Sequence, residues 1–370
     1  MTTETSPREA REDARTQGRK KRSWKRVVAY GALGIFALIL LVATSGAVFL
    51  HRSLKTGGYL EEWREGVDGE TLLDVSYGAE SCEKLDVYVP RENAPEKARG
   101  AILFIHGGAW VAGTRDEQKG FAKWAAKSGW LVGNMEYKLY SEEDKDGYTI
   151  EVVLDEIDAA VRKLKEIGET RGRTPQRVAI SGHSAGGHLA ALYAYSRGKN
   201  AEIPVAFVAP RVAPIDFHAD AWTPNVKPDQ IAAIVSAMTG ETIDGKELES
   251  GAPESEALIA RASPVSFVDS SAVPTLAAYG AKDFVVGIAH AEKLKNAFAA
   301  LDARGIEDAS SDDEARPVFD LLVFPKSSHM LGRDPEYVKR WRELFLAYAD
   351  RYLTTDVDQS SPLETSTETR

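Results

Sequence analysis

Gly182-His183-Ser184-Ala185-Gly186 fits the pattern G-x-S-x-G. An apolar run from Arg177 to Ser181 leads into it, and a helical pattern from Gly187 to Ala194 follows. Strand, sharp turn and helix are the context in which this pattern holds a nucleophilic serine, with its Oγ exposed above a sheet. A Cβ on either flanking glycine would collide with the neighbouring strand and helix. The stretch therefore predicts a nucleophile at Ser184; the alternative is that Ser184 only caps the helix.

A second motif lies upstream, after the apolar run Ala101–Ile105, and reads His106-Gly107-Gly108-Ala109-Trp110. Adjacent glycines let the backbone approach a ligand closely, and backbone N–H groups can stabilise the oxyanion of an acyl-transfer intermediate. We expect His106 to brace this loop. The candidate oxyanion donors are the N–H groups of Gly107, Gly108 and Ala185, the last because the residue after the nucleophile donates in this type of turn.

Together the two motifs resemble the α/β-hydrolase superfamily, in particular hormone-sensitive-lipase-like esterases and kynurenine formamidases. The resemblance covers about Leu72 to Leu353. It implies an α/β-hydrolase fold, with a mostly parallel central sheet flanked by helices and a small helical cap insertion, and no cofactor. Ala109 replaces the third glycine of the esterase loop, and His183 stands where those esterases often carry aspartate. Both departures favour the formamidase and small-esterase branch.

The acid and the base are expected downstream of the serine, since the hydrolase order is serine, acid, histidine. Asp283 follows the strand pattern ending at Gly280, and His329 follows the last strand pattern, 318–324. His329 is thus the candidate general base, and Asp283 the residue that orients its imidazole. Asp216 and Asp269 are alternative acids. His290 also lies late in the chain, but it falls early in a helical pattern, where a surface or packing role is expected.

Strand and helix patterns alternate along the chain, which predicts right-handed crossovers and a mostly parallel sheet. The predicted strands are 72–77, 84–89, 101–105, 130–137, 177–181, 205–209, 275–279 and 318–324. The predicted helices are 118–127, 149–167, 185–196, 288–301 and 335–352. The first two strands are close enough in sequence to form an antiparallel hairpin at one edge.

Residues 216–264 are too long for a simple loop and contain two helical patterns, 231–238 and 253–262. We expect them to form a cap over the pocket. Four aromatic residues are the candidate substrate contacts: Trp110, Tyr137, Phe217 and Trp222. The alternative for each is simple core packing. His183 and His188 are five residues apart, so they lack the spacing of a helical zinc pair, and we predict no metal site.

Residues 27–50 contain no charged side chain and are mostly apolar. As a helix, 24 residues at about 1.5 Å each reach roughly 36 Å, enough to cross a hydrocarbon core of about 30 Å. A basic cluster from Arg19 to Arg26 precedes the segment. The positive-inside rule then predicts a single-pass signal anchor with a cytoplasmic N-terminus and an extracytoplasmic hydrolase domain. The alternative is a cleaved secretory signal, which would make the protein secreted.

Composition divides the chain further. The whole chain has a net charge of −10. Residues 1–26 carry +5, so the remaining residues carry −15. An acidic catalytic domain argues against a nucleic-acid partner. The single cysteine excludes an intrachain disulfide. We predict a disordered basic tail (1–26), the anchor (27–50), a hydrolase domain (56–353) and a disordered C-terminal tail (354–370); oligomeric state is not indicated.

These patterns predict a serine hydrolase that cleaves a carboxylic ester of a small or medium-sized substrate through an acyl-enzyme. The same residues can hydrolyse an amide or a formamide, because only leaving-group protonation and pocket shape differ. A peptidase for short peptides is a third possibility. From a different class, the chain could be a catalytically inactive hydrolase fold that binds a ligand at the cell surface, although the intact motifs argue against this.

Overall fold

The computed structural model describes residues 63–91, 100–308 and 317–354. Its centre is an eight-stranded sheet in the order β1-β2-β4-β3-β5-β6-β7-β8. The strands are β1 (Gly69–Ser76), β2 (Lys84–Pro90), β3 (Gly100–Ile105), β4 (Leu131–Met135), β5 (Arg177–His183), β6 (Val205–Arg211), β7 (Thr275–Gly280) and β8 (Phe319–Phe324). Every predicted strand is present, with ends that differ by a few residues.

Strand directions agree with the prediction of a mostly parallel sheet. β2 pairs antiparallel with both β1 and β4, which makes β1 and β2 the expected hairpin at one edge. All other neighbours are parallel. The carboxyl ends of β5, β7 and β8 therefore lie on one edge of the sheet, where ligands bind in open α/β sheets.

Helices cover both faces of the sheet. They are α1 (Lys119–Lys127), α2 (Ile150–Thr170), α3 (Ala185–Ser196), α4 (Pro228–Thr239), α5 (Gly245–Leu248), α6 (Pro253–Ala262), α7 (Ile288–Ala299) and α8 (Pro335–Tyr352). Side chains of α1 and α8 share one buried cluster with Phe104 and Phe207, whereas α2 and α3 pack in a cluster on the opposite face. Because both faces are covered, the central strands are continuous apolar runs; every residue of β3 is buried.

Local signals set where several helices begin and end. The Thr149 hydroxyl accepts a hydrogen bond from the Val152 N–H and caps α2. Proline occupies the first position of α4, and Gly240 ends that helix in the left-handed conformation at φ 72°. α3 is buried along almost its whole length, as expected for the helix that follows the serine turn.

The predicted cap contains α4, α5 and α6, of which only the short α5 was not predicted. At the start of the cap, His218 bridges two carboxylates: its Nδ1 lies 2.6 Å from Asp216 Oδ1 and its Nε2 lies 2.9 Å from Glu256 Oε2 on α6. Lys293 Nζ lies 2.8 Å from Asp216 Oδ2 and 2.8 Å from Asp220 Oδ1. This network ties α6 and α7 to the end of β6.

Within the described ranges, no helix is long and apolar enough to cross a membrane. The predicted anchor, residues 27–50, lies outside those ranges, as do the predicted basic tail and residues 355–370 of the predicted C-terminal tail.

The His218 network predicts a pH-dependent contribution to stability. Partial burial alone would lower the pKa of His218, but hydrogen bonds to Glu256 and Asp216 outweigh it and raise this pKa above its ordinary value. A histidine whose pKa is higher in the folded than in the unfolded protein stabilises the fold at pH values below its unfolded-state pKa of about 6.5. This contribution is lost as the pH rises through the folded-state pKa. We therefore expect the wild type to melt a few degrees (about 1–3 °C) above His218→Gln at about pH 6 and equally at about pH 9. Calorimetry at both values checks this, and a stabilisation that grows with pH would contradict it.

Candidate active site

Ser184 lies in the sharp turn between β5 and α3, at φ 56° and ψ −120°. Its N–H donates to the Arg211 carbonyl oxygen at 2.9 Å, which fixes the turn against β6. A Cβ on Gly182 would lie 2.2 Å from the Gly186 backbone, and one on Gly186 would lie 2.3 Å from the Ile105 and His106 carbonyl oxygens. Both flanking glycines are thus required by backbone packing, as the sequence predicted.

The three predicted triad residues meet above the sheet. His329 Nε2 lies 2.8 Å from Ser184 Oγ, and His329 Nδ1 lies 2.7 Å from Asp283 Oδ2. A carboxylate only accepts, so Nδ1 carries the proton, and Nε2 is free to accept the serine proton. All three residues are buried, with 7%, 9% and 2% of Ser184, Asp283 and His329 exposed. The arrangement is that of a nucleophile, a base and an orienting acid.

Asp283 is itself held in place. Its second carboxylate oxygen, Oδ1, accepts hydrogen bonds from the N–H groups of Val285 at 2.8 Å and Val286 at 3.0 Å. The alternative acids are engaged elsewhere: Asp216 in the His218 network, and Asp269 with Ser271 in its own turn. Of the three candidates, the structure brings only Asp283 to His329.

Residues 106–110, which carry two of the candidate oxyanion donors and are called the oxyanion loop below, follow β3 in a strained conformation. Gly108 has φ 113°, and a Cβ there would lie 1.9 Å from the Ala112 carbonyl oxygen. Ala185 is the first residue of α3, so its N–H has no acceptor within the helix. Gly107, Gly108 and Ala185 all stay candidate oxyanion donors.

His106 braces the loop, as expected. Its Nδ1 lies 2.7 Å from the Gly107 carbonyl oxygen, and its Nε2 lies 3.1 Å from Glu136 Oε2. Tyr137 packs on the His106 ring with centroids 4.3 Å apart, and its hydroxyl donates to the His106 carbonyl oxygen at 3.2 Å. Both the ring face and the polar atom of Tyr137 thus serve the loop, so its predicted substrate contact stays a prediction without support from these contacts.

The other three predicted substrate contacts form one aromatic cluster. Phe217 contacts Trp110 at 6.0 Å and Trp222 at 5.4 Å between ring centroids. Trp110 Nε1 donates to His188 Nδ1 at 3.2 Å, and His188 Nε2 donates to the Ala262 carbonyl oxygen at 2.8 Å. Burial lowers the pKa of His188 to about 4, so this link stays neutral. His188 therefore joins the oxyanion loop, α3 and the last residue of α6.

His183 and His290 have structural contacts that the sequence did not specify. His183 Nε2 donates to the His329 carbonyl oxygen at 2.9 Å. His290 is fully buried, accepts from the Ile215 N–H at 3.2 Å and packs against Trp222 at 5.0 Å. Helix packing was one of its two expected roles, and the surface alternative was wrong.

Sequence reasoning missed the charged residues behind the oxyanion loop. Glu136 lies 3.1 Å from His106 and 3.5 Å from Arg115, whose Nε lies 3.0 Å from Asp86 Oδ1. Glu136 directly precedes Tyr137, and a charge at the end of an apolar strand pattern was the available signal. Its partner His106 directly follows β3, the strand next to β4. Their pairing depends on the order of the strands in the sheet, which the sequence pattern did not specify.

In the described part of the chain, no group of three or more His, Cys, Asp or Glu side chains is arranged to hold a metal ion.

The sheet order, the serine turn and the histidine loop are those of the α/β-hydrolase fold. Residues 85–298 match the BD-FAE family, and the chain belongs to that family. This match includes Ser184 and Asp283 and ends before His329.

Curated relatives are similar over parts of the chain. Kynurenine formamidase of Danio rerio is 31% identical over 123 residues, which are 33% of this chain and 38% of the relative. Esterase LipQ of Mycobacterium tuberculosis is 26% identical over 258 residues, which are 69% of this chain and 58% of LipQ. The chain thus spans less than two thirds of the length of either relative.

Solved structures share the fold. Esterase B from Lactobacillus rhamnosis superposes with a TM-score of 0.58 at 18% identity, covering 86% of this chain and 96% of that one. A bacterial heroin esterase superposes with a TM-score of 0.57 at 22% identity, covering 84% and 92%. At these identities the superpositions establish the fold and leave the substrate open.

Proposed function

We propose that this protein is a serine hydrolase that cleaves carboxylic esters of small or medium-sized substrates through an acyl-enzyme. The observation that carries the proposal is the position of His329, whose two ring nitrogens lie 2.8 Å from Ser184 Oγ and 2.7 Å from Asp283 Oδ2. The strained backbone of Ser184 also supports it, because such strain is retained where it presents a nucleophile.

The geometry accommodates both halves of the reaction. Ser184 Oγ attacks the carbonyl carbon while its proton passes to His329 Nε2, and the oxyanion accepts from the N–H groups of Gly108 and Ala185. The intermediate collapses, the C–O bond to the alcohol breaks, and His329 returns the proton to the leaving oxygen. Water then repeats the sequence on the acyl-enzyme and releases the acid. Asp283 stabilises the imidazolium at each stage.

The aromatic cluster supports an apolar group on the substrate. Trp110 and Trp222 are 5% and 7% exposed and flank the fully buried Phe217. These rings belong to the 106–110 loop and to the start of the cap. We infer that Trp110, Phe217 and Trp222 contact the acyl or alcohol group.

Formamide hydrolysis is the second candidate. Its support is the similarity of part of the chain to a kynurenine formamidase. The triad would act in the same way on an N-formyl aromatic amine, with His329 protonating nitrogen in place of oxygen. Comparing kcat/KM for p-nitrophenyl acetate with that for N-formylkynurenine decides between the two.

Residues 27–50 lead us to propose a membrane anchor as well, with the catalytic domain outside the cytoplasmic membrane. We expect full-length protein to sediment with membranes, to resist extraction at high salt and to be released by detergent. Protease added to intact spheroplasts should then digest the catalytic domain. A full-length protein that stays in the soluble fraction, or one shortened at residues 45–47, would contradict the anchor.

Labelling with a fluorophosphonate tests the hydrolase proposal without knowledge of the substrate. We expect wild-type protein to be labelled and Ser184→Ala to be unlabelled, since the probe needs an activated serine. Asp283→Asn should lower kcat for p-nitrophenyl acetate by about 10⁴, because the imidazole loses its required tautomer. The matched control is Ser181→Ala on β5, three residues before Ser184; it removes a hydroxyl that donates to the Ala209 carbonyl oxygen on β6, and the variant should still be labelled.

Thermal unfolding confirms that each variant is folded. Labelling of folded Ser184→Ala at the wild-type rate, or no labelling of folded wild type, would overturn the proposal. The second result would favour a catalytically inactive fold that only binds its ligand.

A further inference from the structure

His183 is the last residue of β5 and directly precedes the nucleophile. Its backbone pairs with Arg211 on β6, whose carbonyl oxygen accepts the Ser184 N–H. The reaction described above makes no use of the His183 side chain. His183 nevertheless lies against both the loop that carries His329 and the 106–110 loop.

The first contact is with the base. His183 Nε2 donates to the His329 carbonyl oxygen at 2.9 Å, and the two rings meet edge to face with centroids 5.1 Å apart. This hydrogen bond acts on the backbone of His329, whereas the bonds to Asp283 and Ser184 act on its ring. Three contacts together fix both the position and the orientation of the base.

The loop between β8 and α8 is also held at its start. There the Lys326 N–H and the Ser327 hydroxyl donate to Asp334, at 3.0 Å and 2.7 Å. Just beyond the histidine, Leu331 has φ 50°, a strained conformation for a side-chain-bearing residue. Between these two points, the bond from His183 ties the loop to β5, the strand that carries the nucleophile.

The second contact is with the oxyanion loop. A Cβ on Gly107 would lie 2.9 Å from the His183 carbonyl oxygen and 3.3 Å from its Nδ1. The absence of a side chain at 107 is thus what lets the loop pack against His183. His183 is therefore packed closely against both the base loop and the oxyanion loop.

The charge of His183 also suits this position. Burial lowers the pKa of His183 well below its ordinary value, and the neighbouring His329 and Arg211 lower it further. A neutral imidazole does not repel the imidazolium that forms on His329 during acyl transfer. With Nδ1 unprotonated and Nε2 protonated, the neutral ring still donates to the His329 carbonyl oxygen.

We propose that His183 is a positioning residue that holds the backbone of His329, through its Nε2–H, so that the base stays aligned with Ser184 Oγ. The role rests on the proposed serine hydrolase function.

The test compares two substitutions of similar size, His183→Gln and His183→Met. The glutamine amide can donate to the His329 carbonyl oxygen and the methionine thioether cannot. We expect His183→Met to react with a fluorophosphonate about tenfold more slowly than wild type, and His183→Gln to recover most of that loss. With p-nitrophenyl acetate, the difference should appear in kcat, with KM unchanged within about twofold.

His290→Met is the matched control, because it removes another buried imidazole that has no contact with His329, and its labelling rate should stay within about twofold of wild type. Equal rates for folded His183→Gln and His183→Met would overturn the positioning role. If instead folded wild type were not labelled at all, the hydrolase function and this inference would fall together. Labelling of wild type but not Ser184→Ala, combined with equal rates for the His183 pair, would overturn the inference alone.

Discussion

The close backbone packing around Ser184 is the constraint on which the site depends. Gly182 and Gly186 bring the serine turn within contact of β3 and the oxyanion loop, at distances that no Cβ would allow. That packing holds Ser184 at a positive φ and starts α3 directly behind it. The Ala185 N–H consequently lies at the start of α3, without a helical acceptor. One local arrangement of small residues therefore sets the positions of the proposed nucleophile and of one proposed oxyanion donor.

Buried histidines extend this arrangement outward. His183 links the turn to the His329 loop, and His188 links α3 to Trp110 and to the end of the cap. Both donate from Nε2 to a backbone carbonyl oxygen, and burial lowers the pKa of each below its ordinary value. These links therefore do not titrate near neutral pH. His218 is different, because its two carboxylate partners raise its pKa, so the start of the cap is one pH-sensitive part of the described structure.

The sequence predicted the strands, most helices and the three residues that the structure brings together as the candidate triad. Apolar runs mark strands that are buried on both faces, and the G-x-S-x-G turn fixes Ser184, after which the order of the fold leaves few positions for the acid and the base. The supporting contacts were not predictable in the same way. The packing of Tyr137 on the His106 ring and the approach of Glu136 to His106 Nε2 depend on where side chains point across neighbouring strands. Motif spacing alone carries no information on those directions.

A crystal structure of the protein after reaction with a phosphonate would test the central claim most directly. The account predicts phosphorus bonded to Ser184 Oγ, with the phosphoryl oxygen about 2.7–3.1 Å from the N–H groups of Gly108 and Ala185. His329 should keep its bonds to Asp283 and to the His183 side chain. Phosphorus on another residue, or a phosphoryl oxygen turned away from the loop of Gly108, would contradict the assignment of this site.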